Sequence, residues 1–199
     1  MESFNYFLDC GSHHGEGLQE FLDKGIINET FKVACFEPNP LSFQTLSENR
    51  KLLDRFNKTD LINKAVWDSN SVMRFRMEHY APLSSKYDGT GSTLLPEDLW
   101  HPGVGVYDRD VYVETIDFDE FLQNLHSSCA YTPNIVVKMD IEGAEFTVLE
   151  KLIKTGSIRK VSKLFVEFHA WAINEDYENR QRHIITDLNN LSVPWEMWK

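Results

Sequence analysis

Four polar residues close apolar runs along this chain: Asp9, Glu37, Asp140 and His169. Ligands of open α/β sheets bind beyond the carboxyl ends of the strands, so polar residues in such positions are candidates for chemistry. The run from Phe4 to Asp9 leads straight into Cys10-Gly11-Ser12-His13-His14-Gly15-Glu16-Gly17. A turn of this kind lets backbone pass close to a ligand and sets a helix N-terminus beside it. A tight strand-to-helix turn that needs glycine for its own geometry is the competing reading. Gly11, Gly15 and Gly17 stand four and two positions apart. That departs from G-x-G-x-x-G and counts against a nicotinamide-dependent oxidoreductase. Glu37 ends the second apolar run about two dozen residues later, where a carboxylate can accept both hydroxyls of a ribose. A loop carboxylate or a helix cap would need no ligand, but the two features together point to a nucleoside.

Asp140, Glu142 and Glu145 fall within six residues at a strand-to-helix junction. They either complement the helix dipole or hold a cation, whether a metal or a positively charged ligand. S-adenosylmethionine carries a sulfonium and an ammonium, and acidic walls suit it. Lys138, inside the preceding strand, has one of these acids or a neighbouring strand as its partner. Chemistry at a hydroxyl acceptor would be helped by a general base that takes its proton. Asp140, Glu142 and His169 are the candidates for that role. His169 titrates near neutrality when unperturbed, yet it also fits a histidine satisfied by hydrogen bonds with no proton to move. No metal is assigned. The adjacent His13 and His14 should point apart, and the best cation site would join Asp140 with His169 or Glu142.

These residues need strands and helices to position them, and the patterning supplies both. Phe4 to Asp9, Lys32 to Phe36, Asp60 to Trp67, Asn134 to Met139 and Lys163 to Phe168 read as strands, with Val111 to Thr115 and Trp195 to Trp198 as shorter ones. Val72 to Met77 alternates Val72, Arg74 and Arg76 against Met73, Phe75 and Met77, a strand with one wet face. Helical spacing appears after Gly17, over Leu41 to Phe56, Ile116 to Leu125, from Glu145 through Leu152, and over Tyr177 to Leu191. Pro38 and Pro40 force a turn after the second strand. The alternation predicts a mostly parallel α/β sheet in one domain spanning residues 1–199. Only about 78–110 escapes, an irregular loop or lid. Its Tyr80, Tyr87, Trp100, His101 and Tyr107 either contact an acceptor or pack inward as a structural flap.

Composition sets the outer limits. The chain has 199 residues, 42% hydrophobic and 26% charged, with a net charge of −11. No dense Lys/Arg run is present, so nucleic acid is not the expected partner. No apolar run spans a membrane and no signal peptide is legible. Cys10, Cys35 and Cys129 are odd in number and unclustered, which suits free thiols in the cytoplasm.

The motifs F-L-D-C-G-S-H-H-G, C-F-E-P-N-P, K-A-V-W-D, G-S-T-L, V-E-T-I-D and V-V-K-M-D-I-E-G-A-E-F-T-V-L together resemble the FkbM family of S-adenosylmethionine-dependent methyltransferases. Their order and spacing match from about Phe4 to His169. The resemblance implies a Rossmann-like, seven-stranded, mostly parallel sheet with helices on both faces. It also implies O-methylation of a glycosyl group or another hydroxylated small molecule. Asp9 and Gly11 then look like the first motif, closing round the methionine part of the cofactor, with Ser12, His13 and Gly15 in the same turn. Glu37 looks like the ribose acid, with Pro38 and Asn39 on the adenine side, and Asn63 to Val66, including Ala65, flanking the adenine. Asp140 and Glu142 resemble the D-x-E-G acids at the active-site mouth, and Gly91-Ser92-Thr93 the G-S-T element. His13 replaces an Asn of the D-x-G-A-N pattern, and Ser12 an Ala. A nucleoside-binding module without catalysis is the alternative the residues leave open.

Overall fold

The computed structural model describes residues 4–78, 89–100 and 107–198. Its strands are β1 (Asn5–Cys10), β2 (Lys32–Phe36), β3 (Lys58–Ile62), β4 (Ala65–Trp67), β5 (Val72–Glu78), β6 (Tyr107–Asp117), β7 (Asn134–Met139), β8 (Lys163–Val166) and β9 (Trp195–Met197). Its helices are α1 (Glu16–Asp23), α2 (Pro40–Glu48), α3 (Arg50–Leu53), α4 (Phe118–Ser127), α5 (Glu145–Thr155), α6 (Ala170–Ile173) and α7 (Glu175–Asn190).

Six strands form one parallel sheet in the order β3-β2-β1-β7-β8-β9. The chain winds outward from β1 in one direction and from β7 in the other, so the order reverses between those two strands. Crevices at such reversals, beyond the strands' carboxyl ends, are where open α/β sheets bind ligands. Asp9, Glu37, Asp140 and His169 all lie at that edge.

Alternation along β1 feeds two cores. Phe7 packs on one face with Leu18, Phe21 and Leu22 of α1, while Leu8 and Cys10 pack on the other with Phe146, Leu149 and Leu152 of α5. Helices therefore cover both faces, as the parallel pattern requires. Phe21 anchors the first core, with Phe7, Phe165 and Trp198 rings within 5.0 Å of its own. Full burial of a ring of this kind contributes on the order of 1.5–3 kcal/mol.

The expected single seven-stranded sheet is instead a six-stranded sheet and a three-stranded one, ordered β4-β6-β5. The division falls inside the strand predicted over Asp60 to Trp67. Lys64 donates its N–H back to the Ile62 carbonyl at 2.9 Å, which turns the chain out of the main sheet. The helix predicted over Leu41 to Phe56 breaks at Asn49, whose ψ of 57° is not helical. Asp117 is the N-cap of α4, not its first turn, and accepts the Glu120 N–H at 3.2 Å. The predicted irregular stretch is shorter than about 78–110, because β6 already begins at Tyr107 and pairs antiparallel with β5. Thr93 also bridges Arg76, and Glu97–Leu99 form a 3-10 turn. Tyr80, Tyr87 and His101 lie outside the described residues.

The wet face of β5 holds for Val72 and Arg74 but not for Arg76, which is buried. Its guanidinium stacks 4.1 Å from the Tyr107 ring centre and pairs with Glu97 at 3.3 Å. The short helix α6, just after His169, had no legible period at four residues. Among the described residues, no helix is long and apolar enough to cross a membrane.

Candidate active site at the strand-order reversal

The turn after β1 is shaped by contact with its neighbours. Gly11 has a φ of 80°, and a Cβ there would lie 1.8 Å from the Asp140 carbonyl oxygen. No side chain fits, so the ends of β1 and β7 approach backbone to backbone. The N–H groups of Gly11 and Ser12 both reach the Phe36 carbonyl at 3.0 Å, tying the turn to β2 as well. Next comes His13, itself at a φ of 48°. Its N–H donates to Glu37 Oε2 at 2.7 Å.

Glu37 is buried, with its second oxygen accepting the Asn39 N–H at 2.8 Å. Burial pushes its carboxyl up to about 7, against the lowering effect of those two N–H donors. Asn63 donates from Nδ2 to the Glu37 carbonyl at 2.7 Å and so holds the segment from behind. Asn39 turns its side chain to α2, where Oδ1 accepts the Leu41 N–H at 3.0 Å as an N-cap.

Across the reversal, Asp140 and Glu142 follow β7. Glu142 stands at a φ of 50°. Its carbonyl accepts the Thr93 hydroxyl at 2.6 Å, which brings the three-stranded layer to the site. His169 lies behind these acids, almost fully buried. Its Nε2 is 3.3 Å from Glu142 and 3.9 Å from both Asp140 and Glu167. On its other side, Glu145 Oε1 accepts the His169 backbone N–H at 2.8 Å and lies 3.2 Å from Nδ1. Burial disfavours the charged ring, but Glu145 and Glu142 outweigh it and hold His169 well above the usual histidine range. An imidazolium has no lone pair with which to accept a proton, so in this state His169 is the counter-ion of Glu142. Glu142 is itself raised above the ordinary carboxylate range by burial, with His169 opposing.

Glu142 faces a cavity of about 240 Å³, which His169 itself does not line. Gly11, His13, Glu37 and Pro38 form one wall and Asp140, Glu142 and Glu167 another. Ala65, Val66 and Phe75 contribute apolar surface, and Thr90, Ser92 and Leu94 close it from the smaller sheet. Of the predicted cofactor residues, Gly11, His13, Glu37, Pro38, Ala65 and Asp140 line it. Asp9, Ser12, Gly15, Asn39 and Asn63 do not. Asp9 is fully buried against Lys138 at 3.3 Å, and Ser12 donates to the Asp9 carbonyl at 2.9 Å. Gly15 faces Leu46 and Leu52 on the far side of the turn. Sequence reasoning passed over Glu167 and Thr90. Glu167 had a signal, since it stands two residues before His169 at the same strand end.

Ligand atoms of Asp140, Glu142 and His169 lie within 4.8 Å of one another, close enough to share a cation. The histidine ring already supplies a positive charge at that spot. His13 and His14 do not point apart as expected: their rings stack at 3.6 Å, and both approach Glu16. The left-handed backbone at His13 folds the two side chains onto one side.

The family described as the methyltransferase FkbM domain matches residues 9–190. Among solved structures, the FkbM methyltransferase of Methylobacillus flagellatus KT is similar, with 18% identity and a TM-score of 0.52. The likeness covers 97% of this chain and 38% of that one, and at this identity it speaks to the fold. No curated protein matches the chain significantly.

Proposed function

Because the chain belongs to the FkbM methyltransferase family, we propose that it uses S-adenosylmethionine to methylate a hydroxyl of a small-molecule or glycosyl acceptor, acting as one domain. The observation that carries this reading is the meeting of Gly11 and Glu37 in one cavity at the strand-order reversal. A nucleoside fits there chemically. Gly11 admits a close approach of ligand to backbone, and the Glu37 carboxylate retains lone pairs for two ribose hydroxyls after accepting two N–H groups. Phe36, Ala65 and Val66 offer apolar surface for a base. Asp140 and Glu142 put negative charge where a cationic donor needs it.

Bound S-adenosylmethionine supplies an electrophilic methyl group on a sulfonium. The protein's share is alignment, exclusion of water and handling of one proton. Asp140 and Glu142 face the cavity as the groups able to accept the acceptor's proton. Glu142 suits this best, since burial raises its basicity while His169 keeps its charge tolerable. Ser92 and Thr90 line the opposite wall, the side this reading gives to the acceptor. The described cysteines are free thiols, which suits a reducing cytoplasm.

Titration calorimetry tests the cofactor. Binding of S-adenosylmethionine with a Kd on the order of micromolar, lost in Glu37→Ala, is the expected result. No measurable binding would overturn the proposal. Release of S-adenosylhomocysteine across a panel of sugars, lipids and peptides then identifies the acceptor.

A further inference from the structure

Lys138 is the one buried ammonium at the reversal among the described residues, only 3% exposed. It projects from β7 under α1, where Gly17 leaves room for it. A Cβ on Gly17 would lie 2.9 Å from Lys138 Cε and 3.3 Å from Nζ. Nζ donates to the Gly11 carbonyl at 2.7 Å and stands 3.3 Å from Asp9 Oδ1 and 3.5 Å from Asp140 Oδ2. Burial works against the charge, yet the two carboxylates outweigh it and hold the ammonium above the ordinary lysine range. One ammonium thus faces two carboxyl groups, one sealed in the core and one at the cavity.

The three partners differ in kind. Asp9 is fully buried, does not line the cavity, and has Lys138 as its charged partner. Gly11 and Asp140, by contrast, both line the cavity, one on each side of the reversal. We infer that Lys138 is a positioning residue: its ammonium ties the Gly11 carbonyl to the Asp140 carboxylate and sets the two walls of the cofactor pocket relative to each other. Asp9 is then the counter-ion that keeps this tie buried, not a ligand of the cofactor. The inference rests on the reading of the cavity as a S-adenosylmethionine pocket, and its test separates the two.

A lysine that merely neutralises Asp9 would be dispensable once Asp9 is made neutral. The decisive protein is therefore Asp9→Asn/Lys138→Met, which removes both charges together. Urea unfolding should place it near the wild type, while calorimetry should show S-adenosylmethionine bound at least about tenfold more weakly. Wild-type affinity in the double variant would overturn the positioning role and leave Lys138 as a counter-ion alone. Absence of binding in the wild type would overturn the cofactor reading and the positioning role with it. If the double variant does not fold, Gly17→Ala decides. It keeps every charge but displaces the lysine stem, and a loss of about threefold or more in affinity is expected. Unchanged affinity in that variant would overturn the role as well.

Discussion

The carboxylate of Glu37 accepts the backbone N–H of His13 at 2.7 Å across 24 positions of sequence. This bond joins the turn after β1 to the end of β2, and it is made by a buried acid whose carboxyl is raised to about 7. The unfolded chain holds the same group near 4.5. A raised folded value means that its stabilising contribution is complete below the unfolded value and disappears as pH climbs to the folded one. Stability should fall between about pH 4.5 and about pH 7 by on the order of 3 kcal/mol from this group. Glu37→Gln, neutral throughout, should flatten that window. Urea midpoints across the range check it, and superimposable pH profiles for the two proteins would refute it.

The same acid makes cofactor binding depend on pH in the opposite direction. Ribose hydroxyls donate to the ionised carboxylate, so affinity for S-adenosylmethionine should rise from about pH 6 to about pH 8. In Glu37→Gln any residual binding should lose that slope. Calorimetry at several pH values, with S-adenosylhomocysteine as the uncharged-sulfur control, measures it.

Gly11 and Gly25 share a left-handed backbone but differ in what surrounds them. A Cβ on Gly25 would meet nothing within 4 Å, whereas on Gly11 it would overlap the Asp140 carbonyl. Gly25→Ala should cost only the strain of the conformation, about 1–2 kcal/mol. Gly11→Ala must also push β1 and β7 apart at the site, and more than about 3 kcal/mol is expected. Chemical denaturation of both variants compares them; equal losses would contradict the packing account.

His169 is predicted to matter for stability before any chemistry is measured. Its removal leaves the buried carboxylate of Glu145 and the half-buried one of Glu142 without their cation, a loss expected at about 3–5 kcal/mol for His169→Gln. Adding Glu145→Gln should recover part of that. Thermal unfolding of the single and double variants reads the coupling, and strict additivity would argue against the ion-pair role.

Much of this site was legible before the fold was known. Asp9, Glu37, Asp140 and His169 each close an apolar run, a local signal, and the structure brings their strand ends to one edge. Alternation of strand and helix, the turn at Pro38 and Pro40, and the glycine break after Cys10 are local signals, and local chemistry dictates them. Boundaries were less legible where one contact outweighed propensity, as at Asn49 and Asp117. The split of the third strand at Asn63-Lys64 likewise depends on a turn and on pairing with β6, about 50 positions away in sequence.

The sequence by itself determined which residue types stand at the strand ends and that a parallel α/β sheet must carry them. It could not say which way each side chain turns. Tertiary structure alone decided that Glu37 and Asp140 open into the cavity while Asp9 faces inward to Lys138. The same holds for Gly15, which serves the core under Leu46 and Leu52, and for His169, which is a counter-ion among acids. The reason is physical. Direction at a strand end is set by the neighbours that arrive from β2, β7 and α1. The charge state of a buried group is set by partners that only folding brings within about 4 Å.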